Sequence, residues 1–220
     1  MVTALATPTT RLAGWRLRHL HAWPTHEWGR RRHDGARVSF RREFGAGGPG
    51  LTGRRAAFEF YAKWVLDVES IDIEEIATAL ADQTDYDHRW LIDPRTGEVV
   101  FWTSDTGIDG ENPVEIDELD LIPIDPLPSY VWYQDMVDFA EGISDPAASR
   151  RMSASLQGKG AFRRFKNEVY GHHPELISVW HAMRDARARV RAVLWLVDEG
   201  LVEDEAAQRF ISDNPEPALP

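Results

Sequence analysis

The sequence contains no cysteine and no long apolar run, and these absences set its first limits. Without cysteine the chain can form neither disulfide bonds nor thiolate metal sites, which fits the reducing cytosol. The longest apolar run, residues 192–197, spans six residues, whereas a membrane-spanning helix needs about 20. The N-terminus also lacks the apolar core of a secretory signal. We therefore expect a cytoplasmic protein that does not contact a membrane.

Lysine is scarce, with 3 residues against 22 arginines, and the charged residues are unevenly distributed. Residues 1–64 hold 12 Lys and Arg against 4 Asp and Glu, a net charge of +8. Residues 65–220 hold 13 against 32, a net charge of −19, so that the whole chain carries −11. A domain this acidic repels polyanions at long range unless its positive charges are segregated.

The first 64 residues show no sustained helical or strand period and are interrupted by proline, glycine and three consecutive arginines. We therefore predict a disordered or loosely attached basic arm over residues 1–64, one globular domain over residues 65–211 and a Pro-rich, disordered tail over residues 212–220. The arm either binds nucleic-acid phosphates or lies upstream of a native start at a valine codon near Val65 or Val68.

Apolar patterns after residue 70 predict a mainly α (α+β) fold, a helical bundle-like domain with a small antiparallel β-hairpin or three-stranded sheet. Asp72 followed by Glu75 is a capping-box pattern, and it begins a helix that ends near Ala81. Apolar stripes bounded by Pro and Gly predict further helices at about residues 129–143, 146–156, 161–170, 174–199 and 203–211.

The sheet is predicted from two β-prone runs, residues 89–92 and 98–102, which flank a turn with Pro and Gly. An acidic, Pro-rich loop follows over residues 103–128, with a third short strand at residues 121–124. Because an isolated hairpin is only marginally stable, we expect it to pack against helices.

Residues 156–166 combine two glycines, two phenylalanines and four cations. The segment lacks the hydroxyl residue that follows the lysine of a phosphate-binding loop, so we predict a helix junction at Gly158 and Gly160, with a generic anion site as the alternative. The stripe of Phe162, Phe165 and Val169 is predicted to lie in the core, which leaves cations along its edge.

Cations on two helices define the predicted site, together with a possible cation–π contact between Arg191 and Trp195. They either pair internally with the acidic loop, which we slightly favour, or form an exposed edge. We predict a non-catalytic binding or regulatory module without metal or cofactor, whose unidentified partner is a nucleic acid, another phosphate-bearing molecule or an acidic protein. Its predicted binding residues are Lys159, Arg163, Lys166, Arg184, Arg187 and Arg191.

Two other classes of function are weighed against this prediction. The first is a metal-assisted phosphohydrolase or nucleotide-processing enzyme, although its residues show no metal-ligand spacing. It would draw on Asp105, Asp109, Glu111, His172 and His173. The second is a structural protein-interaction domain, which would present an exposed apolar patch.

Four features occur in a distinctive order along the chain. They are the hairpin from Trp90 to Trp102, the segment from Tyr133 to Phe139 that contains Met136, the motif GKGAFRRFK, and Trp180 in the last long helix. In this order the chain resembles the bacterial uncharacterised protein family 0158, over about residues 70–200. The resemblance implies a mainly helical cytosolic domain, and it carries over no catalytic residues.

Overall fold

The computed structural model describes residues 65–84 and 87–220, and it confirms a mainly helical fold with a small antiparallel sheet. The predicted basic arm lies outside the described residues. The α-helices are α1 Ile73–Ala81, α2 Ser129–Gly142, α3 Pro146–Ser155, α4 Ala161–His172, α5 Ile177–Asp198 and α6 Asp204–Asp213. The strands are β1 His88–Ile92, β2 Val99–Thr103 and β3 Ile122–Ile124. No helix among the described residues is long and apolar enough to span a bilayer.

The sheet has the order β2-β1-β3, with both pairs antiparallel. Both predicted strands of the hairpin and the predicted third strand are therefore confirmed. Proline removes a hydrogen-bond donor, and Pro123 accordingly lies in the edge strand β3. The sheet packs against α1 through β3, and Leu91 and Ile92 of the central strand are fully buried.

Helix α1 begins as predicted, since the carboxylate of Asp72 accepts the amide of Glu75 at 3.0 Å. Its other end is fixed by Asp82, which joins α1 to β1. One oxygen of Asp82 accepts the hydroxyl of Thr84 at 2.6 Å, and the other accepts the indole N–H of Trp90 at 2.8 Å. His88 Nε2 lies 2.9 Å from the same second oxygen.

The helical core is built on three aromatic rings from α2, α4 and α5. Phe139 and Phe165 each meet Trp180 edge to face, with ring centroids 5.2 and 5.0 Å apart. Such pairs contribute about 0.5–1.5 kcal/mol each beyond the apolar area that they bury. Met152 of α3 is also fully buried in this cluster, so the core fixes how α2, α3, α4 and α5 lie together.

Phe162 departs from its predicted place in the core. Phe165 and Val169 are buried as expected, but 48% of Phe162 is exposed. Its ring lies at the margin of the apolar stripe of α4 and contacts the half-buried ring of Tyr133, with centroids 6.5 Å apart. The helical period predicts which face of α4 is buried. It does not predict how far the neighbouring helices cover the margin of that face, where Phe162 lies.

The predicted disordered tail is also wrong, because the last residues contact the helices. The carbonyl of Pro220 accepts the amide of Ser144 at 2.7 Å, and Leu219 packs against the helical core. Glu216 forms a 3.0 Å ion pair with Arg187 of α5. These contacts are with residues distant in sequence, so a local Pro-rich composition could not reveal them.

Asp82 predicts a pH dependence of stability. Burial alone would raise the pKa of this carboxyl, but hydrogen bonds from Thr84, Trp90 and His88 hold its pKa well below the ordinary range. Its ionised form therefore stabilises the fold above the ordinary carboxyl pKa of about 3.9, and this contribution is lost as the pH falls from there towards the folded-state pKa.

We expect Asp82→Asn to lower the free energy of unfolding by about 1–3 kcal/mol at neutral pH, because the partly buried donors Trp90 and His88 lose a charged acceptor. The difference between natural protein and variant should shrink on acidification from about pH 5 to pH 2. Urea unfolding over this pH range measures it, and two parallel curves would contradict the assignment.

Gly142 gives a second prediction, since a Cβ at this last position of α2 would overlap Cδ1 of Leu219. We expect Gly142→Ala to displace Leu219 and to accelerate hydrogen exchange of the Ser144 amide. The free energy of unfolding should change little, because alanine gains up to about 1 kcal/mol of helix propensity. In a Leu219→Ala background, where the overlap is removed, the same change should stabilise the protein. Equal effects in both backgrounds would exclude this contact.

Candidate functional site

Helices α3 and α4, joined by residues 156–160, form a helical hairpin that we call the cationic hairpin, residues 146–172. It holds six Lys and Arg against one acidic residue, Glu168, and so has a net charge of +5 within a region, residues 65–220, of net charge −19. Its cations are Arg150, Arg151, Lys159, Arg163, Arg164 and Lys166. Six of the thirteen Lys and Arg of this region therefore lie in one supersecondary unit that holds a single acid.

The loop of the hairpin confirms the predicted helix junction. Gly158 and Gly160 have left-handed backbones, with φ of 74° and 76°, which non-glycine residues rarely adopt. No atom lies within 4 Å of a Cβ built at Gly158. The left-handed backbone is therefore the reason for both glycines. At Gly158 a side chain would have room, so steric crowding is not a second reason.

Arg164 has a structural task in this loop. Its Nε donates to the carbonyl of Ser155 at 3.0 Å, and its terminal nitrogens donate to the carbonyls of Gln157, Gly158 and Lys159. The last carbonyls of a helix have no partner within that helix. Arg164 supplies a donor to the last of these in α3, the carbonyl of Ser155, and to three carbonyls of the loop. We therefore do not count it among the cations available to a partner.

Five cations of the hairpin are exposed: Arg150 and Arg151 on α3, and three others on or beside the outward face of α4. Arg163 and Lys166 are exposed on α4, and Lys159 is exposed in the loop. None of the three has a carboxylate partner within residues 65–84 and 87–220. All twelve residues of α4 are described, and no exposed one is acidic.

Two aromatic rings lie on the same outward face. Phe162 is 48% exposed and Tyr170 is 42% exposed. The ammonium of Lys166 lies 5.7 Å from the centroid of the Tyr170 ring. The hydroxyl of Tyr170 shares a 2.5 Å hydrogen bond with His181 Nε2, which connects this face to α5.

A groove of about 350 Å³ lies between α3 and α4 on the inner side of the hairpin. Its lining residues are Arg151, Ser155, Arg164, Asn167, Glu168 and His172. The carboxylate of Glu168 opposes an anion there, and Arg164 is committed to carbonyls. The outward face of α4 is therefore the better anion site.

Arg187 and Arg191, predicted as binding residues, are engaged inside the protein instead. Both guanidinium groups meet Asp135 of α2, which is only 1% exposed, and Arg191 bonds both of its carboxylate oxygens, at 2.8 and 2.5 Å. Arg187 also bonds Asp138 at 2.6 Å and Glu216 at 3.0 Å. This part of the predicted edge is revised, because paired and largely buried cations do not present charge to a partner.

The acids that pair with these arginines come from α2 and the C-terminal segment, whereas we expected them from the acidic loop. Burial alone would lower the pKa of Arg187, but the charge of Glu216 and the hydrogen bonds to Asp138 and Glu216 raise its pKa above the ordinary value. Arg191 lies over Trp132, 4.9 Å from the ring centroid, and not over Trp195 as predicted.

Arg184 remains near the outward face. Its side chain is 47% exposed, and its one carboxylate partner among the described residues is the adjacent Asp185, at 2.7 Å. Such a surface pair contributes little. Residues three apart on a helix are neighbours, so Arg184 lies one turn from His181, whose ring contacts Tyr170. Of the six predicted cations, four therefore remain candidates: Lys159, Arg163, Lys166 and Arg184.

Two residues of the metal-enzyme alternative, Asp109 and His173, have other contacts in the fold. Asp109 accepts the amides of Glu111 and Asn112 at 2.9 and 2.8 Å, and hydrogen bonds from Asn112 lower its pKa to about 2. His173 lies 3.6 Å from Glu168 and 3.3 Å from Glu175. Within the part of the chain that the structure describes, no three His, Asp or Glu side chains are grouped so as to hold a metal ion.

Two features of the structure that we did not predict, the buried carboxylate and the cationic hairpin, have recognisable signals in the sequence. Asp135 stands between Trp132 and Phe139 on the apolar face of α2, which indicates a buried carboxylate in need of a partner. The excess of cations over residues 146–172 is also visible in the sequence. The exposure of Phe162 and Tyr170 depends on tertiary packing, so no local pattern indicates it.

Asp135 yields a prediction about stability. We expect Asp135→Ala to lower the free energy of unfolding by about 3–5 kcal/mol, because two largely buried guanidinium groups lose their shared carboxylate. The matched control is Asp138→Ala, whose carboxylate is 26% exposed, and it should cost about 1 kcal/mol or less. Urea midpoints at constant slope measure both changes. Equal losses would show that the buried position of Asp135 is unimportant.

Comparisons with known proteins agree on one family. The family model of the uncharacterised protein family UPF0158 matches residues 66–208. A UPF0158 protein of Pseudomonas aeruginosa is 32% identical over 158 residues, which cover 69% of this chain and 96% of that protein. No solved structure shows significant similarity. On the family model and this relative together, the chain belongs to the uncharacterised protein family UPF0158.

Proposed function

We propose that the domain is a non-catalytic binding module whose partner bears phosphate groups and docks on the outward face of α4. The contacts come from Lys159, Arg163 and Lys166, with Arg184 at the border of the face. The observation that carries the proposal is the concentration of positive charge: a hairpin of net charge +5 in a region of net charge −19. Its five exposed cations have no carboxylate partner among the described residues, and three of them lie on or beside α4.

The unpaired state of these cations supports the proposal because acids are abundant elsewhere in the domain. Two described arginines on other elements have carboxylate partners, since Arg95 pairs with Asp93 and Arg189 pairs with Glu74. The exposed Arg209 of α6 has none among the described residues. An acidic domain could neutralise a basic helix at little cost, yet α4 keeps its exposed positions free of acid. Such a face attracts anions locally despite the net negative charge.

The expected strength of binding is modest. A single exposed charge pair contributes about 0.2–1 kcal/mol, so an anion must touch several cations at once to bind measurably. A phosphate chain can do this, since it repeats its charge along its length. Each phosphate neutralised releases counterions, and about three contacts give a slope near −2 for log affinity against log salt.

Arg163 provides the test of this proposal. We expect Arg163→Glu to weaken binding of a labelled polyphosphate about tenfold, because one attraction becomes a repulsion. The matched control is Arg209→Glu, which makes the same change of charge on an exposed position of α6. Fluorescence anisotropy from about 50 to 200 mM salt measures both affinities.

All variants keep residues 1–64, so any contribution of the basic arm is common to them. Equal losses in Arg163→Glu and Arg209→Glu would contradict a site on α4 and indicate a nonspecific effect of net charge. Binding of polyglutamate in place of polyphosphate would favour an acidic protein as partner.

A further inference from the structure

We infer that the phosphate-bearing partner is a single-stranded nucleic acid, whose bases stack on Phe162 and Tyr170. This inference rests on the proposed function and adds the class of the ligand. It starts from two large rings that the fold leaves about half exposed, at 48% and 42%. Both lie on the same helix as the unpaired cations Arg163 and Lys166.

The spacing places the rings and cations in one stripe. Phe162, Lys166 and Tyr170 follow one another at intervals of four residues, so they lie along the same side of α4. At 1.5 Å per residue the Cα atoms of the two aromatic residues are about 12 Å apart along the helix axis, with the Cα atom of Lys166 halfway between them. Arg163 directly follows Phe162 in the sequence, and the loop residue Lys159 precedes it by three positions.

An alternation of aromatic rings and cations is the arrangement that binds single strands. Cations contact the backbone, and successive bases stack on aromatic faces irrespective of their identity. A duplex keeps its base faces stacked internally, and polyphosphate has no bases. Neither can use the two rings, so an exposed aromatic pair favours the single strand.

The neighbours of Tyr170 are the ring of His181, with centroids 5.9 Å apart, and Lys166, and they leave 42% of the tyrosine exposed. The hydroxyl is held by His181 at 2.5 Å, which fixes the ring at one edge. Lys166 lies over the ring at 5.7 Å, and an exposed cation–π contact of this kind is weaker than the stacking of a base on an aromatic ring. A base can therefore displace Lys166 from the ring, and the freed ammonium is then positioned for a phosphate.

The experiment compares three labelled probes on the full chain: a single-stranded oligonucleotide of mixed sequence, the duplex of the same sequence, and polyphosphate. We expect the single strand to bind more tightly than the duplex. Phe162→Leu and Tyr170→Leu should each weaken the single strand about fivefold or more and leave polyphosphate within about twofold.

Two conservative variants separate stacking from other roles of these side chains. Phe162→Trp keeps an aromatic face and should bind the single strand at least as tightly as the natural protein. Tyr170→Phe keeps the ring but loses the bond to His181, and its affinity should stay within about twofold. Both positions are half-exposed, so the variants are expected to fold, and their urea midpoints verify this.

The inference is overturned if the leucine variants bind the single strand as the natural protein does, or lose polyphosphate to the same extent. If polyphosphate binding still depends on Arg163 in that case, the proposed function stands and only the nucleic acid is excluded. If Tyr170→Phe loses as much as Tyr170→Leu, the hydroxyl and not stacking is responsible, which also overturns it. Failure of every probe to bind removes both proposals.

Discussion

The buried carboxylate of Asp135 is the constraint on which the arrangement of the helices depends. It lies on α2 and is satisfied by two arginines of α5, one of which also bonds Glu216 of the C-terminal segment. Three stretches far apart in sequence are thereby fixed at one point. A charged group at this depth is stable only with its partners in place, so the alignment of α2 with α5 is specified more narrowly than apolar contacts alone would achieve.

This internal use of arginine explains how charge is divided over the domain. The long helix α5 uses Arg187 and Arg191 to neutralise buried or half-buried acids. Helix α4 faces the core with Phe165 and Val169 and keeps its cations on the opposite side. The same residue type therefore has two roles, and the position of the nearest carboxylate decides which one applies.

The sequence was sufficient for most of the secondary structure because its signals are local. Asp72 and Asp145 cap the helices that follow them, and both caps are present in the structure. The glycines at 158 and 160 similarly predicted the helix junction. Each of these signals acts within a few residues, so a single sequence is enough to predict the helix boundary that it sets.

Contacts between residues distant in sequence could not be predicted from the sequence to the same extent. The pairing of Arg187 with Asp135 joins residues about fifty positions apart, and periodicity does not say which acid a basic residue will meet. The exposure of Phe162 and the docking of Leu219 likewise depend on where neighbouring elements end. Of the predicted cationic site, the part on α4 remains a candidate, since its exposed cations Arg163 and Lys166 are neighbours along one helix.

The bonds of Arg164 to the loop carbonyls have a consequence for the entropy of binding. Loops that become ordered on association lose conformational freedom, and this loss weakens affinity. Here the guanidinium joins the end of α3 to the backbone of residues 157–159, so the loop is ordered in the free protein. A partner that contacts Lys159 would then restrict one flexible side chain and no backbone, and even a few weak charge contacts would suffice for measurable binding.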